Sequence, residues 1–581
     1  MPKRWRIRSF DPERLVWLER AVGVPPLIAQ LLLLRGIDDP DSARRFIEPK
    51  LSGLRQPEEL PGCMEAADRL HHAVLHKRRI VVYGDYDVDG VTGTAILWGC
   101  LRLLGAEVSY YIPSRLEEGY GLNEEALRAL AERGVEVVVT VDCGIASLAE
   151  AELAARSGIE LLITDHHEPA SELPRASAIV HPRLGDRPYP FTGLSGSGVA
   201  MKLAWALCQQ ATGAKRVSAA MREFLLQAVG LAALGTVADV VPLIDENRIL
   251  VSYGLVSLKQ QPSLGLAALQ RLAGLAEKKT LDGEDLAFQL APRLNAAGRL
   301  GQASLAVELL TTNQPDRAET LARYLDQLNA DRKSLEHSTY LAALKQIKHQ
   351  YPPADHPAWV LADPHWHPGV IGIVASQLAE KYHRPVILIA SDPTGQQPGA
   401  GSGRSIPGFH LHRALTACRH HLLRFGGHAA AAGLRIQQDR IPAFREDFCR
   451  YVAETLDPQQ QQAELFIDAE APLSALTLQT VNQIERMAPF GYGNPRPILC
   501  SSSVYLNGAP RPIGQEGRHL SMSLVQDGVR VRAVAFGGAE WLDELLETNG
   551  PLDVAFRPVI NTFNGLHRVE LHLVDWRPAQ H

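Results

Sequence analysis

The chain has 581 residues, 46% hydrophobic and 21% charged, which is the composition of an ordinary globular protein with room for about three or four domains. Its net charge of -6 neither indicates nor excludes a nucleic-acid binder, because nucleic acids bind a local basic surface rather than a basic total. The 7 cysteines are scattered, odd in number and without a Cys-x-x-Cys pair, which argues against a disulfide framework and a thiolate zinc site.

The sequence contains no stretch that is typical of a targeting signal or a membrane span. Residues 1–8 are basic, but no apolar signal core follows them. No uninterrupted apolar stretch is long enough to cross a bilayer. We therefore expect a cytoplasmic protein without membrane contact.

Residues 1–75 are predicted to form a helical lead-in without chemistry of its own. From residue 76 to 265 strand-like and helix-like runs alternate, which predicts an α/β domain with a parallel sheet. Functional groups in such folds lie at the carboxyl ends of the strands. The predicted strands are Ile80–Tyr83, Val108–Ile112, Val135–Val141, Ile159–Thr164 and Ala178–Val180.

Three alternating acids, Asp85, Asp87 and Asp89, follow the first of these strands. If the strand continues through them, they share one face and converge. Like charges that lie close together repel, and a raised pKa or a bound cation relieves the repulsion. Hard divalent cations prefer oxygen ligands, so Mg²⁺ or Mn²⁺ is expected. The alternative is a solvated acidic loop, and the pattern also resembles fragments of calcium-binding loops.

Further acids and a histidine pair stand at the ends of later elements. Each has an ordinary alternative, because a lone Asp after a helix is usually a cap and a histidine pair usually lies at the surface. Together they predict a shared metal site, and two bridged cations are a recurrent device for phosphoester cleavage. These residues are Asp142, Asp165, His166, His167 and, after a largely apolar helix, Asp239.

The segment Ser195–Val199 begins another predicted helix and permits two interpretations. Its small residues would admit a phosphate to backbone N–H groups. A plain helix start with Ser195 as the N-cap fits the same residues equally well.

After residue 265 the sequence predicts a helical segment and then a second α/β unit. Residues 266–350 are predicted to be a helical connector, and residues 351–456 a second, smaller α/β unit with strands at Trp359–Ala362 and Val386–Ala390. The loops of this unit are rich in Gly, Ser, Arg and His, which suits phosphate binding. The alternative is glycine-rich turn chemistry in a small packed domain.

Residues 460–581 are β-rich and predict a small barrel of the OB-fold type. Basic and aromatic residues along it would suit a groove for a single-stranded nucleic acid, although ordinary solvated faces look much the same. These residues are Arg511, Arg518, His519, Arg530, Arg532, Tyr505 and Phe563.

Five motifs of the chain resemble those of the DHH phosphoesterase superfamily and, within it, the bacterial exonucleases that act on single-stranded DNA. They occur in the expected order, and the match runs from about residue 40 to the C-terminus. The motifs are Gly84–Gly90, Val141–Gly144, Thr164–His167, Ala238–Pro242 and Gly426–His428.

The resemblance implies a fold and an activity. The fold would be a DHH domain, a long helix, a DHHA1 domain across a cleft and a C-terminal OB-fold. The activity would be processive 5′→3′ degradation of single-stranded DNA to 5′-mononucleotides with Mn²⁺ or Mg²⁺, in two-metal form, within DNA repair and recombination. A single-strand-binding protein and a RecQ-type helicase would be protein partners.

The resemblance also implies roles for individual residues. The metal ligands would be Asp87, Asp89, Asp142, His166 and Asp239, with Asp142 as the bridge. Asp85 and Asp165 would support the site, and His167 would face the scissile phosphate, so Asp85, Asp142 and His167 form the expected catalytic set. Contacts to the DNA phosphates and the 5′ end would come from Arg115, Arg299, Ser402, Arg404 and His428.

One position departs from a branch of the superfamily. Inorganic pyrophosphatases carry a metal-binding His where this chain has Tyr83, which argues against that activity and leaves the first metal one protein ligand fewer. Two alternatives stay open. The first is a phosphodiesterase of short oligonucleotides or cyclic dinucleotides, which would not need the β-rich C-terminal region. The second is a scaffold that binds single strands without cutting, which would not need its full set of acids and histidines.

Overall fold

The computed structural model describes residues 3–114, 118–119, 121–185, 189–457, 463–548, 550–563 and 565–579. The chain begins with strand β1 (Arg4–Ile7) and helices α1 (Pro12–Val22), α2 (Pro26–Leu33) and α3 (Pro40–Ile47). These elements belong with the far end of the chain. β1 pairs in parallel with the segment Glu464–Ile467, and α1 to α3 share a hydrophobic core with the C-terminal module, residues 463–579.

The first α/β module, residues 63–260, is built on a parallel sheet, as the sequence predicts. Its five strands are in the order β3-β2-β4-β5-β6, and all neighbouring pairs are parallel. Its elements in chain order are α4 (Cys63–Leu75), β2 (Ile80–Gly84), α5 (Val88–Leu103), β3 (Val108–Tyr111), α6 (Glu124–Glu132), β4 (Val137–Val141), α7 (Leu148–Arg156), β5 (Glu160–Thr164), β6 (Ala178–Val180), α8 (Gly196–Thr212), α9 (Ala219–Ala238) and α10 (Asp245–Gln260).

The strands of this sheet are apolar on both faces because helices cover both faces. Val139 and Val82 face one hydrophobic core, which helices α4, α5 and α8 complete. Val138 and Val81 face a second core, formed with helices α6 and α7. This burial fixes the strands, so the residues that follow them are held at one edge of a rigid layer.

Helix α9 is long and apolar enough, by length and composition, to cross a membrane. It packs against α5, α8 and α10, as a core helix of this module does. The helices α1 and α2 meet the same criterion only when they are counted as one span bent by 115°. The charged residues Arg222 and Glu223 interrupt α9, so this helix does not contradict the prediction that no uninterrupted apolar stretch is long enough.

A helical connector follows, and it contains the predicted long helix. Its elements are α11 (Leu264–Leu272), a π-helix (Asp285–Leu290), α12 (Ala291–Arg299), α13 (Ala303–Thr311) and α14 (Pro315–Gln350). The 36 residues of α14 extend about 54 Å at a rise of about 1.5 Å per residue. Helices α11 and α12 pack against α14, which joins the first module to the second.

The second α/β module, residues 359–455, has a mixed five-stranded sheet in the order β10-β11-β9-β8-β7. Strands β7 and β8 are parallel, and the other neighbouring pairs are antiparallel. Its elements are β7 (Trp359–Asp363), α15 (Ile371–Tyr382), β8 (Val386–Ala390), β9 (Gly399–Arg404), α16 (Leu411–Ala417), β10 (Leu422–Gly427), β11 (Ala431–Ile436) and α17 (Ile441–Thr455).

The C-terminal module contains the predicted small barrel. Strands β14, β18, β19, β17 and β16 follow one another in the sheet, and a further pairing of β14 with β16 closes them into a ring. The elements of the module are β12 (Glu464–Ile467), β13 (Ala469–Glu470), α18 (Leu478–Glu485), β14 (Leu499–Leu506), β15 (Arg511–Ile513), β16 (His519–Gln526), β17 (Val529–Ala535), α19 (Leu542–Glu547), β18 (Leu552–Phe563) and β19 (Leu566–Pro578).

Candidate active site

Acids and one histidine from separate elements of the first α/β module meet at the carboxyl edge of its sheet. We call this group the acid centre. His166 follows β5, and its Nε2 lies 3.0 Å from Asp142 Oδ1, 3.5 Å from Asp239 Oδ2 and 3.9 Å from Asp89 Oδ2. Asp142 follows β4, and Asp239 ends α9 as its C-cap. The members of the acid centre are Asp85, Asp87, Asp89, Asp142, His166 and Asp239.

The first three acids meet for a reason that differs from the sequence expectation. Strand β2 ends at Gly84, so Asp85, Asp87 and Asp89 do not alternate along a strand. Asp87 is the N-cap of α5, and its Oδ1 accepts the N–H groups of Asp89 at 3.0 Å and Gly90 at 3.2 Å. Asp89 lies in the first turn of the helix. A sharp strand-to-helix turn therefore groups the acids, and the prediction of a shared strand face is wrong.

Helix α8 holds Asp89 from the other side. The N–H groups of Gly196 and Ser197 donate to the two carboxylate oxygens of Asp89 at 2.6 and 3.0 Å. Ser195 caps the same helix by accepting the N–H of Gly198 at 3.1 Å. Of the two interpretations of this segment, the serine cap is confirmed. The phosphate cradle is wrong for these two N–H groups, because Asp89 occupies them.

Gly196 has a second reason to lack a side chain. A Cβ atom at this position would lie 2.6 Å from both the Cβ and the Oδ1 of Asp142. No carbon atom tolerates that approach, so glycine is required wherever Asp142 reaches the acid centre. Asp142 itself has a φ of 64°, and Val240, next to Asp239, has a φ of 59°. Such left-handed backbone is strained for a β-branched residue and clusters at functional sites.

Asp165 orients His167 and does not belong to the acid centre. Its Oδ1 lies 2.7 Å from His167 Nδ1 and accepts the N–H of His166 at 2.8 Å, and its Oδ2 accepts the N–H of Ile145 at 3.0 Å. Burial raises the pKa of the Asp165 carboxyl group, but the hydrogen bond from His167 outweighs the effect of burial. The pKa of Asp165 is lowered to about 2. Burial likewise opposes the charge of His167, yet Asp165 raises the pKa of this histidine. The pair therefore favours an imidazolium ring beside the acid centre.

The acid centre concentrates negative charge away from water. Burial and then the charges of Asp89 and Asp87 hold the pKa of Asp142 well above its usual range, and the same causes raise the pKa of Asp239 to about 9. Burial lowers the pKa of His166, which favours the neutral form of its imidazole. Within the described residues, the buried atoms His166 Nε2 and Asp239 Oδ2 have no hydrogen-bond partner.

These properties fit divalent cations. Ligand atoms within 4.8 Å of one another form three overlapping groups, and Asp142 belongs to two of them, so the residues suit two neighbouring cations. Carboxylate oxygens with one neutral imidazole are a donor set that Mn²⁺ and Mg²⁺ accept. The groups are Asp85, Asp87 and Asp142; Asp142, His166 and His167; and Asp89, His166 and Asp239. Tyr83 is not among them, because it is fully buried and its hydroxyl donates to the carbonyl of Gly121 at 3.1 Å.

A second feature brings together three of the predicted DNA-contacting residues. Arg299, Ser402 and Arg404 line a cavity of about 390 Å³, which we call the Arg404 cavity. Arg404 donates to Ser402 Oγ at 3.1 Å, and Arg299 donates to the carbonyl of Gly369 at 3.1 Å. The cavity is closely built, since a Cβ on Gly372 would lie 2.9 Å from Ser402 Oγ.

Helix α12 joins the Arg404 cavity to the acid centre. Its Asn295 accepts the N–H of Val88 through Oδ1 at 3.1 Å, and a Cβ on Gly298 would lie 2.3 Å from the carbonyl oxygen of Tyr86. Arg299 is the next residue. The turn that carries Asp87 is therefore packed against the helix that carries Arg299, which lines the Arg404 cavity. Sequence reasoning missed Asn295, since no local pattern marks a residue that caps a distant helix.

The remaining predicted contacts that the structure describes do not line the Arg404 cavity. His428 is exposed after β10 and does not line the Arg404 cavity. Arg115 lies outside the described residues. On the barrel, Arg518 pairs with Glu516 at 2.6 Å and Arg532 with Glu570 at 3.1 Å, so two of the predicted groove cations already have carboxylate partners. The side chain of Phe563 also lies outside the described residues.

Three protein-family models match the chain in the order of its modules. They are the DHH family N-terminal domain over residues 79–236, the DHHA1 domain over residues 355–454 and the RecJ OB domain over residues 467–575. The fold is thus that of a DHH-family protein with a DHHA1 domain and an appended OB domain.

Relatives that are similar over the whole chain show which family within this class the chain belongs to. The single-stranded-DNA-specific exonuclease RecJ of Bacillus subtilis is 37% identical over 574 residues, which cover 98% of this chain and 70% of the relative. The crystal structure of RecJ from Thermus thermophilus in complex with Mn²⁺ matches with a TM-score of 0.83 and 34% identity, over 100% of this chain and 80% of that one. Its complex with Mg²⁺ matches with a TM-score of 0.76 and 32% identity, over 100% and 79%. The chain belongs to the RecJ family of single-stranded-DNA-specific exonucleases.

Proposed function

We propose that this protein is a metal-dependent exonuclease that degrades single-stranded DNA from the 5′ end and releases 5′-mononucleotides. The observation that carries the proposal is the acid centre, in which Asp142 Oδ1 and Asp239 Oδ2 lie within 3.5 Å of His166 Nε2. The names of the relatives support single-stranded DNA as the substrate. They also favour it over the short oligonucleotides and cyclic dinucleotides of the alternative hypothesis.

In this proposal, five residues hold two Mn²⁺ or Mg²⁺ ions: Asp87, Asp89, Asp142, His166 and Asp239. When bound, such a pair of cations supplies an activated water and neutralises the charge that develops on a phosphoryl group. Asp142 would serve both positions, because it is the carboxylate shared between two ligand groups. Asp85 acts from the adjacent turn as a third carboxylate beside Asp87 and Asp142.

His167 binds the scissile phosphate in the proposed mechanism. Its side chain is 43% exposed, so it can meet a substrate, while the buried Asp165 fixes the ring through the contact of 2.7 Å. A cationic ring at this position attracts a phosphoryl oxygen. Because Asp165 already holds the ring in place, the ring need not reorganise when the charge of that oxygen increases. Asp165 is a positioning residue, because it acts through His167.

The Arg404 cavity binds the 5′ end in the proposed mechanism. Arg299 and Arg404 supply cationic donors suited to phosphate, and Ser402 supplies a hydroxyl. In this proposal the cavity closes one end of the cleft beside the acid centre and admits the terminus of a strand. One nucleotide is then cleaved from that terminus, and this is the origin of the 5′ polarity. Arg115 and His428 are proposed as further phosphate contacts.

We assign the parts of the chain to this function as follows. Residues 76–265 are the DHH catalytic domain, residues 351–456 the DHHA1 domain that binds the substrate, and residues 460–581 the OB-fold that holds the strand. Residues 1–75 are the lead-in, whose β1 and α1 to α3 pack with the C-terminal module and whose α4 packs with the first module. Residues 266–350 are the helical connector. The extents of the three family matches support this division.

The same family membership supports a cellular role. We propose action in DNA repair and recombination in the cytoplasm, with a single-strand-binding protein and a RecQ-type helicase as partners. The first covers the single strands that the enzyme would degrade, and the second produces them. Digestion of a duplex by both proteins together, compared with digestion by each protein alone, tests the functional link. A RecQ-type helicase is expected to stimulate digestion.

Labelled single strands test the proposed reaction directly. With Mn²⁺, the wild type is expected to release a 5′ label at once as mononucleotide, while a 3′-labelled strand shortens progressively. EDTA and Asp142→Ala are each expected to stop both reactions. Loss of product with a 3′ block alone would refute the polarity, and activity confined to dinucleotides would restore the alternative hypothesis.

A further inference from the structure

Two histidines and an aspartate of the second α/β module form a compact group of potential metal ligands. His420 and His421 end a short helical turn directly before β10, and Asp447 reaches them from α17. His421 Nε2 lies 2.8 Å and His420 Nε2 3.3 Å from the same oxygen, Asp447 Oδ2. We call these three residues the His-His-Asp cluster, in which one ligand atom of each residue lies within 4.8 Å of the others. The acid centre and the Arg404 cavity are built from other residues.

The surroundings of the cluster hold its ligand atoms in place and leave an entrance for a cation. The side chain of His421 is 8% exposed, and its ring lies edge-on to Phe444 with 6.3 Å between the ring centroids. Packing therefore fixes the direction of His421 Nε2. The ring centroid of His420 lies 4.0 Å from that of His421, and the His420 side chain is 61% exposed, so a cation can enter from solvent. Arg450 pairs with the other oxygen of Asp447 at 3.1 Å, which keeps Oδ2 turned toward the two imidazoles.

The distances within the cluster suit a small tetrahedral cation. Ligand atoms bonded to a tetrahedral zinc ion at about 2.0–2.1 Å lie about 3.3–3.4 Å from one another. The separation of His420 Nε2 and Asp447 Oδ2, 3.3 Å, already has this value. The contact of 2.8 Å between His421 and Asp447 must lengthen by about 0.5 Å to reach it, and the Asp447 side chain, which is 29% exposed, can shift by that much. Binding of zinc therefore requires little rearrangement.

The donor set decides which cation fits. Two imidazole nitrogens with one carboxylate oxygen are typical of Zn²⁺, whereas Mg²⁺ and Mn²⁺ prefer oxygen ligands. Three protein ligands leave a fourth position for water, which an exposed site supplies. His421 Nδ1 is buried and has no hydrogen-bond partner in the described part of the chain, and lack of such a partner costs about 10- to 100-fold in metal affinity. We therefore expect weaker binding than at a zinc site whose histidines all have this support.

We propose that the His-His-Asp cluster binds a Zn²⁺ ion that fastens the start of β10 to α17. Strand β10 lies at the edge of its sheet, and its pairing with β11 is irregular between Leu422 and Arg424, directly after the cluster. An edge strand is paired on one side only, so a clamp at its start restrains the part of the strand that opens most easily. The zinc site is separate from the nuclease reaction, and it stabilises the strand that leads to His428.

Titration of the full chain with Zn²⁺, without a histidine tag, tests the site. With Mg²⁺ in excess to occupy the acid centre, the wild type is expected to bind one equivalent of Zn²⁺ more than His420→Ala or Asp447→Asn. Loss of a ligand costs more than loss of a supporting partner, so the affinity of either variant should fall by about 100-fold or more. His349→Ala removes an exposed histidine of α14 and is the matched control. Asp142→Ala should retain the additional equivalent, because it alters only the acid centre.

Hydrogen exchange tests the connection between β10 and α17. Zn²⁺ is expected to slow the exchange of the backbone amides of residues 422–427 in the wild type and in His349→Ala, but not in His420→Ala. In EDTA, His420→Ala is expected to melt as the wild type does, because its side chain is exposed, and this excludes a folding defect as the cause. Equal zinc stoichiometry in the wild type and both cluster variants, or zinc binding without slower exchange in β10, would overturn the inference.

Discussion

His166 Nε2 lies 3.0 Å from Asp142 Oδ1, although the two residues follow different strands, β4 and β5. Burial lowers the pKa of His166 and so favours its neutral ring, whose lone pair and the carboxylate oxygen repel unless a proton or a cation lies between them. This relationship makes the acid centre a place where cation binding and folding are coupled.

Asp142→Asn is expected to have opposite effects on the metal-free and the metal-bound protein. Without metal, it removes a carboxyl group that burial and the charges of Asp89 and Asp87 destabilise, whether the group stays charged or takes up a proton, and it should raise the free energy of unfolding by about 1–3 kcal/mol. With Mn²⁺, it removes the shared ligand, so stabilisation by the metal and nuclease activity should both be lost. Unfolding in EDTA and in Mn²⁺ measures both effects. Equal stabilisation of the variant and the wild type by Mn²⁺ would contradict the role of Asp142.

The stability of the metal-free protein is expected to fall as the pH rises. The pKa of Asp239 is raised to about 9 by burial and then by Asp89, whereas an unfolded Asp titrates near its ordinary value of about 3.9. Between these values the folded state binds more protons than the unfolded state, so the free energy of unfolding decreases with pH in that window. Mn²⁺ relieves the repulsion and should therefore raise the melting temperature more at pH 8.5 than at pH 6. A stabilisation that is the same at both values would refute this account.

Gly196→Ala is expected to disable the site without unfolding the protein. The new Cβ would lie 2.6 Å from Asp142, so the carboxylate must move and metal-dependent activity should fall by about 100-fold or more. Gly198→Ala in the same helix is the matched control, because its Cβ would meet side-chain atoms no closer than 3.5 Å. Digestion rates and Mn²⁺ titrations of the two variants measure whether Gly196→Ala alone loses metal-dependent activity. Similar losses in both would mean that the helix, and not Asp142, is disturbed.

Arg404→Ala is expected to weaken binding of the 5′ phosphate specifically. A charge-assisted contact contributes about 1.5–3 kcal/mol, so KM for a 5′-phosphorylated strand should rise by at least about tenfold. The KM for a 5′-hydroxyl strand should change much less, because the contact is absent there. Arg435→Ala removes an exposed arginine from the neighbouring β11 and serves as the control. An equal rise of KM for both strands would argue against a 5′-end role for the Arg404 cavity.

The sequence alone predicted the architecture of the chain and which residues meet in the acid centre. Buried strands such as Val137–Val141 can be predicted from uninterrupted runs of β-branched residues, since a parallel sheet is apolar on both faces. Residues at strand ends, such as Asp142 and His166, could be grouped because the carboxyl ends of parallel strands share one edge. Local patterns and short motifs were sufficient for both predictions, and the family matches agree with them.

The tertiary structure decided how these residues are held. Asp89 receives the N–H of Gly196 from a helix that begins 107 residues later, and Val88 is capped by Asn295 from 207 residues away. No local pattern encodes such pairs, because each depends on how whole helices pack against the sheet. The same reason governs the loop 487–494 of the C-terminal module. Arg248 and Asn494 donate to its backbone carbonyls, and Leu243 donates to the carbonyl of Tyr492. Packing between distant modules sets this position, which neighbouring residues cannot specify.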